Sequence, residues 1–103
     1  MGKRSREKPA RLGEKLLQVR NWLGLSQTAM WKRLELQDKN PYTVISGYEN
    51  GTQEPSLITL LKYAQFAGIS TDALIDDEAD LPARLLSHQA EARIKPVSSK
   101  RKV

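Results

Sequence analysis

Apolar residues recur through the first part of the chain at the spacing of helices that bury one face. Leu12, Leu16, Val19 and Leu23 follow the i, i+4, i+7, i+11 rhythm of an amphipathic helix, and Gly24 ends it. Ser26 is placed to cap a second helix whose inward face is Met30, Trp31 and Leu34. Glu35 to Lys39 is polar and reads as loop. Asn40-Pro41 then opens a third helix: the asparagine can cap, and proline at the first helical position sacrifices no needed N–H. That helix runs through Val44, Ile45 and Tyr48 and stops at Asn50-Gly51. A fourth opens near Pro55-Ser56 with Leu57, Leu60, Leu61, Ala64 and Ala67 expected inward before Gly68. Ser70 or Thr71 caps a short fifth helix through Leu74 and Ile75, with Ile69 and Leu74 able to staple its start.

The pattern therefore predicts an all-α fold, a compact five-helix domain over residues 11–82. Flanking it are a disordered arm at 1–10 and a tail at 83–103. The tail begins as a weak helix over 83–94, carrying Leu85, Leu86 and Ile94, and continues as disorder. Asp76 to Asp80 reads as a solvated acidic exit, with Leu81-Pro82 tucking back on the domain. No strand pattern or internal repeat stands out.

Charge sharpens this division. Residues 1–11 hold five bases against one acid and residues 83–103 six against one, whereas residues 12–82 hold six bases and ten acids. The excess behind the net charge of +5 thus sits in the two arms, where basic residues can neutralise phosphates. At 103 residues there is material for one modest core. No cysteine is present, so disulfides and thiolate metal sites are excluded. No apolar run approaches a membrane span, and the charged N-terminus has no apolar segment behind it to make a secretory signal. His88 is the sole histidine and lies in the tail, which leaves no Ser-His or Cys-His arrangement. The acids Asp76, Asp77, Glu78 and Asp80 lack the glycine and terminal carboxylate of a calcium loop. Catalysis, a metal site and a cofactor are not expected.

Several spacings together carry a family likeness: Leu25-Ser26-Gln27, then Met30-Trp31, Leu34, then Val44-Ile45-Ser46-Gly47-Tyr48-Glu49-Asn50-Gly51, followed by Glu54-Pro55-Ser56. This arrangement resembles the Cro and phage-repressor (XRE-like) helix-turn-helix domains, which lay their second motif helix in the major groove of DNA. The resemblance implies a lambda-repressor-like fold, a cytoplasmic, nucleoid-associated prokaryotic transcriptional regulator, and a recognition helix at about residues 41–50. It pairs Arg20 with Glu49 in a structural salt bridge. It gives Gln27 and Asn50 to phosphates; Thr52 can add to the Asn50 contact, and Lys39 on the loop with Lys32 and Arg33 on the second helix can reach further phosphates. Tyr42, Thr43 and Ser46 are left as the outward base-edge candidates. Gly47 falls where the family often carries a reader and reaches nothing. Trp31 replaces the small residue usual at the crossing of the two motif helices, and the longer loop over Leu36–Asn40 is a source of room for it.

A homodimer on double-stranded DNA is expected, since one small recognition helix rarely suffices. The fifth helix with Leu81 and Leu85 is the guess for its surface. The alternative is a protein-interaction module, or an antitoxin-like protein whose tail binds a partner, with Trp22 and Trp31 as interface anchors.

Overall fold

The computed structural model describes residues 8–86. Among them lie α1 (Leu12–Leu23), α2 (Gln27–Arg33), α3 (Val44–Asn50), α4 (Leu57–Ala67) and α5 (Thr71–Ile75), followed by a sixth helical turn, α6, at residues 83–86. No strand occurs among the described residues. Residues 1–7 of the expected 1–10 arm, the rest of the weak helix, His88 and the end of the tail lie outside the described residues.

Local signals set most of the helix ends. Ser26 and Ser56 cap α2 and α4, their hydroxyls accepting from the N–H groups of Ala29 and Thr59. Gly24, Gly51 and Gly68 close α1, α3 and α4 in the left-handed conformation, with φ of 74°, 84° and 71°. The start of α3 differs from the sequence expectation. Regular helix begins at Val44, because residues 41–43 form a tight turn in which the Val44 N–H donates to the Pro41 carbonyl at 3.0 Å. No side chain caps α3. Asn40 instead offers its backbone carbonyl to the Trp31 indole N–H at 2.8 Å.

α1 packs on α3, α4 and α5, and α2 packs on α3. Leu16, Val19, Met30, Leu34, Ile45, Tyr63 and Leu74 fill the centre with no exposed surface. Three apolar assignments are corrected. Leu57 and Leu61, expected inward, are 82% and 42% exposed, while α4 buries Leu60, Tyr63, Ala64 and Ala67. Leu36, assigned to a polar loop, is 5% exposed and anchors that loop in the core. Leu81 and Leu85, offered as a dimer surface, are 5% and 0% exposed within this chain's own core and cannot face a partner.

The acidic exit is likewise not free in solvent. The Asp77 carboxylate accepts from the backbone N–H groups of Ala10 and Arg11 at 2.8 and 3.0 Å. Arg11 reaches on to the Asp77 carbonyl and to Asp80. Just inside, Lys15 is fully buried, and its ammonium donates to the carbonyls of Ala73, Asp76 and Ala79 at 2.9, 2.9 and 2.7 Å. Burial, with Arg11 beside it, lowers the Lys15 pKa from its ordinary value, partly offset by Asp77, Asp76 and Asp80. The carbonyls left over at the end of α5 thus find a buried cation.

Candidate nucleic-acid interface

Two helices meeting at α3 define the face of interest, and an ion pair fixes them. The Arg20 guanidinium grips the Glu49 carboxylate in a bidentate pair at 2.5 and 3.0 Å, and also donates to the Leu25 carbonyl at 3.0 Å. Gln27, at the first position of α2, donates its amide to the same carboxylate at 3.0 Å. With side chains 14% and 7% exposed, Arg20 and Glu49 make a largely desolvated pair of good geometry. One carboxylate therefore locks α1, α2 and the end of α3 together. Gln27 is engaged in that lock.

The buried side of α3 is Val44, Ile45 and Tyr48. Tyr42 (55% exposed) and Thr43 stand at the solvent before it, and Ser46 is half-buried along it. The Tyr42 ring meets Trp31 edge-on, with centroids 6.3 Å apart. The Trp31 indole N–H is fastened to the α2–α3 loop through the Asn40 carbonyl. At the far end, Asn50 Oδ1 accepts from both the N–H and the hydroxyl of Thr52, at 3.0 and 2.7 Å, so these two residues brace one exposed turn.

Not every sequence candidate gathers here. Lys39 is exposed on the α2–α3 loop. Arg33 lies over the Phe66 ring of α4, 5.0 Å from its centroid, and is drawn off to that helix. Sequence reading missed Gln53, whose side chain lies on Gly47. A Cβ placed at Gly47 would come within 2.9 Å of the Gln53 Cγ. Gly47 is consequently buried, although it belongs to the outward side of α3. The only available signal was a long amide directly after the α3 turn.

Trp22 and Trp31, weighed as anchors for a protein partner, are both partly buried against this chain's own core. Arg84 stacks over Trp22 at 5.3 Å and donates to the carbonyls of Ala67 and Gly68. Among the described residues no group of His, Cys, Asp or Glu is arranged to hold a metal ion, and no helix is long and apolar enough to cross a membrane.

Five packed helices, with a short α3 held by α1 and α2 and its polar side turned out, make an all-α domain of a DNA-binding kind. A helix-turn-helix family model matches residues 16–74, from the second turn of α1 to Leu74 of α5. The chain belongs to the helix-turn-helix family, of the Cro and phage-repressor type. That family is a DNA-binding one and not a family of enzymes. No curated protein and no solved structure matches the chain.

Proposed function

We propose that this protein is a sequence-specific regulator of transcription that binds double-stranded DNA as a homodimer, each copy laying α3 in a major groove. The observation that carries this reading is the Arg20–Glu49–Gln27 lock. It ties α3 to α1 and α2, with Tyr42 and Thr43 exposed just before the helix and Ser46 half-buried along it, which lowers the ordering cost of presenting those side chains to base edges. The braced turn at Asn50 and Thr52 supports phosphate contacts that set the register of the helix, and Lys39 extends the cationic surface. The basic residues at both ends of the sequence supply further charge for the backbone of the duplex.

Enrichment of randomised duplex DNA on the full chain at near-physiological salt tests the proposal. A palindromic motif is expected, with affinity falling steeply as salt rises. Recovery without any motif would leave a generic polyanion binder and reject sequence-specific regulation.

A further inference from the structure

Every side chain on the outward side of α3 is short or absent except Tyr42: Thr43, Ser46, Gly47 and Asn50 follow it. Of these, only the Asn50 amide carries the donor and acceptor that pair with one base edge through two hydrogen bonds. Asn50 already commits its Oδ1 to Thr52. Yet the position of Gly47, one turn on from Thr43, is not vacant. A Cβ built there would lie 2.9 Å from Gln53 Cγ, 3.1 Å from its Cβ and 3.1 Å from its Nε2. The Gln53 side chain occupies the volume into which a side chain at residue 47 would project.

The backbone beneath it is fixed. The N–H groups of Thr52 and Gln53 both donate to the Gly47 carbonyl, at 3.0 and 3.1 Å, and Asn50 braces the same turn through Thr52. Gln53 is itself exposed. Its side chain lies over the glycine from Cβ to the amide nitrogen, while the residue as a whole stays exposed. Only a residue without a side chain at 47 permits this, so the glycine and the glutamine act as one unit.

We propose, resting on the DNA-binding reading above, that Gln53 is a specificity-determining residue of this domain. It is delivered from the α3–α4 turn across Gly47 to read an adenine through paired hydrogen bonds to N6 and N7. A primary amide matches that edge, donating to N7 and accepting from N6. Because the stem is already packed on Gly47, less rotamer freedom is lost on contact than for a glutamine projecting freely.

The test is motif enrichment on the full chain and two variants, Gln53→Ala and Gln53→Glu, with thermal melting as a check on folding. The wild type should select adenine at one position of each half-site. Gln53→Ala should lose discrimination at that base pair alone, by roughly 5- to 150-fold, with melting temperature and affinity for random duplex unchanged. Gln53→Glu should move the preference at the same position toward cytosine, whose amino group a carboxylate accepts from. Gly47→Ala, which must push Gln53 aside, should blur the same position. Should Gln53→Ala keep the wild-type motif, or weaken all sequences alike, the assignment fails while the DNA-binding reading stands. A wild type that yields no motif overturns both.

Discussion

A carboxylate as enclosed as that of Glu49, 7% exposed, is tolerable only while Arg20 and Gln27 hold it. Removing one partner of such a pair strands the other, which typically costs about 3–5 kcal/mol. Arg20→Ala should therefore lower the melting temperature of the free protein substantially, besides weakening DNA binding; an unchanged melt would show that the pair carries no stability. Tyr63 presents the opposite case. It is fully buried and its hydroxyl has no hydrogen-bond partner among the described residues. Tyr63→Phe should therefore be neutral or stabilising by about 1 kcal/mol, measured by urea denaturation. Burial, with Glu49 and Tyr48 adding to it, pushes the Tyr63 pKa far above its ordinary 10.0, and burial likewise raises Tyr48, which is hydrogen-bonded to Thr59. In each the folded value exceeds the unfolded one. The stability held by the neutral phenols is thus complete below about pH 10 and declines as pH rises further. Urea midpoints should fall above that pH, and less steeply in Tyr63→Phe. Arg20 and Glu49 were legible in the sequence because their spacing matched a known pair. Lys15 and Tyr63 were not: each lies among polar or mixed neighbours, and its burial is decided by helices far along the chain.

Among the elements, α1 and α3 cross so closely that a Cβ at Gly13 would stand 2.6 Å from the Glu49 carbonyl oxygen. Helix propensity alone favours alanine there by about 1 kcal/mol, but overpacking against backbone costs about 1–3 kcal/mol. Gly13→Ala should accordingly destabilise the fold. Gly47→Ala has only Gln53 side-chain atoms, and no backbone, among its nearest neighbours and should cost clearly less than Gly13→Ala. Equal losses from the two substitutions, compared by chemical denaturation, would refute this contrast. Gly13 was invisible as a crossing point because it looked like an ordinary residue of a helical first turn. The register of α4 was misread for a related reason. Leu57-Ile58-Thr59-Leu60-Leu61 is apolar almost all round, so periodicity alone could not choose its buried stripe; α1 and α5 make that choice. In α1, where polar and apolar positions alternate more cleanly, the sequence reading and the buried face agree at Leu12, Leu16 and Val19, though Lys15 is buried as well and Leu23 only partly.

For the molecule as a whole, that same misreading bears on assembly. With Leu81 and Leu85 internal, the large exposed aliphatic side chains among the described residues are Leu57, Ile58 and Leu61 on α4, with Ile75 and Leu86 beyond. This patch begins at the first turn of α4, four residues after Gln53 in the sequence. A second copy meeting it there would set two α3 helices on one side of the pair. Three or four aliphatic side chains fall short of the roughly 800 Å² per partner of a stable interface. Sedimentation should therefore find a monomer at micromolar concentration that pairs cooperatively on a palindromic site. Leu61→Lys should abolish the cooperativity and spare affinity for a half-site. A stable free dimer would show that a larger surface is in use.

The Asp77 clasp and the buried Lys15 join residues 10–15 to residues 73–80, across nearly the whole described chain. Neither end can fray by itself. If α5 lifted away, the Lys15 ammonium would lose three carbonyl partners; if the start of α1 unwound, Asp77 would lose two amides. Partial opening is thereby penalised at both margins, and the domain should come apart as one cooperative unit. The amides of Ala10 and Arg11, ordinarily among the first to exchange with solvent at a helix start, should exchange only with the slowest in the core. A cellular protease would then meet residues 10–80 either folded or wholly unfolded, and cleavage within them would follow global stability.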